Sequence, residues 1–154
     1  MLAACSNESD APSLPPSAPA AQPQIKIHTL DWLKRTDPVA PEQWLASREA
    51  GRDLDATDPE VASMHRALEV AAVRFRDYPR MIANRAVQLQ AMLSKKGIDE
   101  HAPSVIATLC EVPGNTRSIE SFASLTQQYY NLRLKGLDKR QAVAELKAQT
   151  DAAP

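Results

Sequence analysis

From residue 59 onward, apolar side chains recur every three or four positions. Val61, Met64, Leu68, Ala71, Phe75, Tyr78 and Ile82 fall on one helical stripe, and Leu89 and Met92 continue it, with Arg85 as the exception. Asp58 can cap the start, Pro59 suits the first helical position, and Glu60 favours the positive end of the helix dipole. Gly97 can terminate the element, with Ile98 as the hydrophobic contact that follows such a stop. The stripe keeps phase across Pro79, which predicts one kinked helix or two nearly coaxial ones breaking at Asp77-Tyr78-Pro79.

Upstream, "IKIHTLDWLKRTDPVAPEQWLASREAGRDL" predicts two short helices. Thr29 can cap the first, which carries Leu30, Trp32 and Leu33 and stops at Asp37-Pro38. Pro41 can open the second, with Trp44 and Leu45 inward and Gly51 as terminator. Both tryptophans are expected to anchor the core, the sharper alternative being a partner-binding surface.

Downstream, Pro103 opens a helix carrying Val105, Ile106, Leu109 and Cys110, and Val112-Pro113-Gly114-Asn115 has the order of a type II turn. Ser118 or Thr116 can cap the next helix, through Ile119, Phe122, Leu125, Tyr129 and Leu132, ending at Gly136 with Leu137 after it. Asp138 and Gln141 form an acidic capping box for a last helix with Val143 and Leu146 inward. No strand pattern competes. The expected fold class is all-α, a small irregular bundle of about five or six helices in residues 26–150, after a disordered N-terminal tether.

Composition agrees with that expectation. Aromatic residues make up only 5% of 154 and glycines number four, which points away from a sheet-rich fold. The net charge of −1 hides a basic middle: residues 61–98 hold seven Lys and Arg against two Asp and Glu. Arg74, Arg76 and Arg80 lie on the polar side of that element with Arg66, Arg85, Lys95 and Lys96. A solvated face is the plainest account of them; an acidic partner or nucleic acid is the sharper one.

Catalytic groupings are absent from the sequence. His28, His65 and His101 lie in different elements without metal-ligand spacing, so no metal and no cofactor is expected. Asp53 with Asp55, and Asp99 with Glu100, sit beside turn residues and read as caps or solvated loop charges. Cys110 lies on an apolar helix face and reads as a buried thiol, and a Cys5–Cys110 bridge would rigidify little of the core. There is no Gly-rich phosphate loop, no Gly-x-Ser-x-Gly and no Cys-x-x-Cys, and no enzyme is expected. In "QQYYNLRLKG", Tyr130 and Arg133 share a helix face and form a further candidate contact patch.

The first 25 residues bear on location. Leu2-Ala3-Ala4-Cys5 resembles the lipobox of bacterial lipoproteins, although no apolar signal core precedes it here, so the resemblance implies a signal further upstream. Residues 6–25 carry Pro at 12, 15, 16, 19 and 23 among Ser, Ala and Gln, a spacer composition. The resemblance implies a diacylglycerol thioether on Cys5, usually with an amide-linked acyl chain, and Ser6 in place of aspartate implies sorting to the outer membrane. "TLDWLKRTDP" also resembles, over about ten residues, the segment after the lipid anchor in exclusion lipoproteins of conjugative plasmids and integrative elements. Residues 1–5 are thus expected to be the end of a signal peptide and 6–25 a linker.

The expected protein is a lipid-anchored, non-catalytic binding or assembly component on the periplasmic face of a Gram-negative outer membrane. Its partners would be the membrane, through Cys5, and a protein met by Trp32, Trp44, Arg74, Arg76, Arg80, Tyr130 and Arg133. A cytoplasmic nucleic-acid-binding regulator using residues 61–98 is the alternative.

Overall fold

A computed structural model describes residues 24–114 and 120–152. The described residues form a small all-α bundle of six helices: α1 (Pro41–Ala50), α2 (Pro59–Phe75), α3 (Pro79–Ser94), α4 (Ala102–Cys110), α5 (Phe122–Leu134) and α6 (Lys139–Ala152). A 3₁₀ turn at Ile27–Thr29 precedes them. The turn and α2 pack on α1, α4 lies against α2, α3 and α5, and α6 closes on α5.

Local chemistry sets most boundaries where the pattern places them. Proline stands in the first turn of α1, α2, α3 and α4, where its missing N–H is no loss. The Asp58 carboxylate accepts the Glu60 N–H at 2.9 Å. Asp138 and Gln141 bond reciprocally at 2.8 Å in both directions, so the capping box is complete. After α3, Gly97 adopts φ 75° while Ile98 N–H returns to the Leu93 carbonyl at 3.0 Å.

Four expectations fail, each for a physical reason. Residues 30–33 are not helical: the 3₁₀ turn ends at Leu30, and the Leu33 backbone is bonded at both its N–H and its C=O by the buried Asn84 amide. The chain divides into two helices at Asp77-Tyr78-Pro79, as expected, but Tyr78 does not stay on the apolar stripe, because Arg76 takes a left-handed φ of 51° and Tyr78 is extended. Tyr78 therefore leaves the core and is 80% exposed. Ser121 caps α5, its hydroxyl accepting from Ser124 N–H at 3.1 Å, so the helix begins at Phe122; Asn115, Thr116, Ser118 and Ile119 lie outside the described residues. Glu100 is buried, not solvated, and both its oxygens accept from the Tyr129 hydroxyl, at 2.7 and 2.9 Å.

The core centres on Trp44, Phe75, Phe122 and Tyr129, each at most 2% exposed. The Phe75 and Phe122 rings meet edge-on, with centroids 5.1 Å apart. Asp77, in the link between α2 and α3, accepts the Phe122 N–H at 3.0 Å and so joins the start of α5 to the start of α3.

Candidate partner-contact surface

The irregular stretch between Leu30 and Val39 is held on the bundle by side chains that bind its carbonyls. The Trp44 indole N–H donates to Leu30 O at 3.0 Å, Arg48 donates to the same oxygen, and Arg80 donates to Lys34 O at 2.8 Å and Val39 O at 3.0 Å. With Asn84 fixing Leu33, that side chain points inward at 1% exposure and its neighbour Trp32 turns outward at 43%. Tyr78, displaced from the core by the break at Arg76, stands nearby, and Met81 follows on the first turn of α3.

Trp32, Tyr78 and Met81 wall a groove of about 600 Å³, with Arg35 and Arg80 also lining it and buried Leu33 and Asn84 beneath. No carboxylate lines it. Three large apolar side chains here share a rim with two cations, and aromatics and Arg are the residue types enriched at protein contacts in general. A second, smaller hollow of about 190 Å³ lies between α3 and α5, where Arg85, Met92 and Tyr130 meet.

The structure separates the other predicted contact residues. Trp44 is wholly buried, an anchor under the Arg48 guanidinium 5.6 Å from its ring centroid, and presents no surface to a partner. Arg74 grips Val112 O through Nε at 3.1 Å and Nη2 at 2.7 Å, with its guanidinium 4.7 Å from the Phe75 ring centroid. Arg133 turns inward, donating to Leu137 O at 2.9 Å and lying 3.5 Å from Glu100, so it does not share a patch with Tyr130. Arg76 is exposed at the break after α2, and Cys5 lies outside the described residues. Of the predicted residues, only Trp32 and Arg80 are brought to the main groove. Sequence reasoning missed Tyr78 and Met81, although Pro79 directly after Tyr78 signals an extended residue ahead of a new helix.

The histidines are used as struts. His28 Nδ1 is 2.6 Å from Asp53, His65 lies 3.2 Å from both Glu42 and Glu69, and His101 is 3.0 Å from Glu49 and 3.7 Å from Asp99. Among the described residues no three His, Cys, Asp or Glu side chains gather as a metal site. Burial pushes the Cys110 thiol up, with the Arg74 charge offsetting this only in part, which disfavours the thiolate needed for nucleophilic chemistry. The Tyr129 hydroxyl is raised far above the ordinary range by burial and by the bond to Glu100. No helix among the described residues is long and apolar enough to cross a membrane.

Comparison with known proteins places these features in a family. No solved structure matches the chain. The protein MoxZ of Paracoccus denitrificans is 31% identical over 150 residues, which cover 97% of this chain and 86% of that protein. Only about four residues of 154 lie outside that similarity, so it runs through most of the Pro-rich first 25 residues as well as the bundle. The MoxZ family model matches residues 42–151, from α1 into the last turn of α6, and the chain therefore belongs to the MoxZ family.

Proposed function

We propose that this protein is a contact module of the cell envelope, held by acylated Cys5 at the periplasmic face of the outer membrane and acting by binding, not turnover. The observation that carries the contact reading is the groove of Trp32, Tyr78 and Met81, whose aromatic surface stays in water when the rest of the core is closed. Covering a large apolar side chain is worth about 1.5–3 kcal/mol, so three in one groove give a partner a sizeable foothold. Trp32 and Arg35 both come from "TLDWLKRTDP", the stretch whose likeness to exclusion lipoproteins suggests conjugation or secretion machinery as the setting.

The anchor rests on Leu2-Ala3-Ala4-Cys5 and the Pro, Ala and Ser residues after it. Two or more acyl chains give stable attachment, and a 20-residue spacer reaches at most roughly 70 Å, enough to let the groove meet a neighbour away from the bilayer. The competing role, binding nucleic acid through residues 61–98, is disfavoured because Arg74 and Arg80 turn their donors to backbone carbonyls.

Expression of the gene with its upstream DNA in the presence of a clickable fatty acid tests the anchor. Label on the wild-type chain, absent from Cys5→Ala, with the labelled protein in the outer-membrane fraction, is the expected result. Equal labelling of both forms overturns the anchor, and salt-dependent binding to duplex DNA lost in Arg76→Ala moves the protein to the competing role.

A further inference from the structure

We infer that the groove beside Trp32 is one end of a longer docking face along α3, which receives an amphipathic helix of a partner protein and pairs Arg85 with a carboxylate on that helix. This rests on the reading of the protein as a contact module and is independent of the lipid. Met81, Arg85, Gln88 and Met92 recur at helical spacing on one face of α3, over roughly 16 Å of helix. Met81 lines the Trp32 groove at one end of this stripe, and Arg85, Gln88 and Met92 line the hollow with Tyr130 at the other. The two cavities are thus joined by one row of side chains.

Arg85 names the chemistry of the occupant. Its Nε is buried and has no hydrogen-bond partner, while Nη1 donates to Gln88 Oε1 at 2.9 Å. Among the described residues no carboxylate lies within ion-pair distance of Arg85, and neither cavity is lined by Asp or Glu. A half-buried guanidinium lining this hollow, with one donor orphaned and no carboxylate beside it, suits a planar acceptor able to take parallel N–H bonds, which is what a carboxylate offers. The apolar residues at both ends ask for apolar anchors on either side of that charge. A helix laid along α3 supplies an apolar, acidic and apolar residue at the same rise as Met81, Arg85 and Met92. A bilayer surface, by contrast, is broad and meets protruding side chains, not a hollow between α3 and α5.

The test is selection of a displayed library of random amphipathic helices on the full chain carrying Cys5→Ala, so that acylation has no part in the result. The expected winners carry one Glu or Asp flanked by apolar residues on the same face, and they bind Arg85→Gln about tenfold or more weakly than the parent. Arg85→Lys keeps the charge but loses the fork and falls between the two. Trp32→Ala and Tyr130→Ala weaken the same peptides, and Arg66→Ala, on exposed α2 surface, does not. Replacing the peptide's acid by its amide gives the loss without altering the protein, which keeps the outcome readable if an Arg85 variant folds poorly by circular dichroism. Winners indifferent to Arg85, or a selection without winners, overturn the proposal. Two further results assign the face elsewhere and overturn it equally: sedimentation showing a dimer that Arg85→Gln dissociates, or flotation with phosphatidylethanolamine and phosphatidylglycerol vesicles that Arg85→Gln abolishes. Loss of fatty-acid labelling at Cys5 in cells leaves all of these measurements unchanged, so the anchor and the docking face fail separately.

Discussion

The side-chain amide of Asn84 holds the backbone of Leu33 at both of its polar groups: Oδ1 accepts the Leu33 N–H at 2.8 Å and Nδ2 donates to the Leu33 carbonyl at 2.9 Å. Asn84 is 2% exposed, so neither bond is replaced by water when the amide is lost. Asn84→Ala should therefore cost about 2–4 kcal/mol, from two orphaned backbone groups and a small cavity. Because the clamp sets Leu33 inward and Trp32 outward, the variant should also alter the emission of Trp32 while that of buried Trp44 holds. Urea unfolding followed by tryptophan fluorescence reads both effects, and a change below about 0.5 kcal/mol would show that the clamp is incidental.

That clamp marks the limit of what the amino-acid pattern discloses. Helix starts at Pro41, Pro59 and Pro79 and the stops at Gly51, Gly97 and Gly136 follow from backbone chemistry that needs only neighbours in sequence. Residues 30–39 obey partners far along the chain instead: Asn84 is 51 positions from Leu33, and Arg80 is 41 positions from Val39. Periodicity carries no trace of such bonds, which is why Trp32 reads as core and emerges as surface. Glu100 shows the same effect in reverse, since a carboxylate beside a turn reads as solvated until Tyr129, 29 residues on, is seen to bury it. The groove was therefore half legible, through Trp32 and Arg80, and its other wall became visible only with the break at Arg76.

Tyr129 should make the bundle lose stability at alkaline pH. Its hydroxyl is buried against Glu100, which raises its folded-state pKa well above the ordinary tyrosine value of 10.0. The unfolded chain therefore releases this proton first. The stabilisation is complete below pH ~10 and falls as pH climbs from there toward the folded-state pKa. Tyr129→Phe should flatten this alkaline decline, and at neutral pH it should cost about 1–3 kcal/mol by leaving Glu100 without its donor. Stability measured at several pH values above 9, beside tyrosinate absorbance near 295 nm, checks the sign; an unchanged alkaline slope in the variant would refute it.

Asp53 predicts the opposite dependence on the acid side. The His28 backbone N–H donates to its carboxylate at 2.9 Å and the ring Nδ1 lies 2.6 Å away, and the backbone bond is the largest cause of a lowered pKa. A carboxyl with a depressed folded-state value stabilises the fold above its unfolded pKa of about 3.8, and that contribution disappears as pH falls through the folded value. Asp53 is exposed enough for solvent to screen the interaction, so the contribution present at pH 7 is small and its loss shows mainly as pH falls. Asp53→Asn should narrow the drop in midpoint between pH 5 and pH 2 relative to wild type, and carboxyl chemical shifts followed by NMR should place the Asp53 titration below the ordinary aspartate value.

Arg76 is the only described non-glycine residue with positive φ, at 51°, and it stands where α2 must stop for Tyr78 to reach the surface. A side chain in the left-handed region costs roughly 1 kcal/mol or more, whereas glycine occupies it freely. Arg76→Gly should thus raise stability by about 0.5–1 kcal/mol, the relief of strain exceeding the extra entropy of the unfolded chain. Arg76→Val should lower it by a similar or larger amount, because a β-branched side chain tolerates that backbone least. The pair also separates architecture from contact. If the turn at Arg76 is what presents Tyr78 to a partner, Arg76→Gly keeps peptide binding at the α3 face intact while gaining stability, and Arg76→Val loses both. Thermal melts and binding of the same selected helix to the two variants decide it: loss of binding in Arg76→Gly with the fold retained would mean that the guanidinium itself, not the shape of the turn, is what the partner reads.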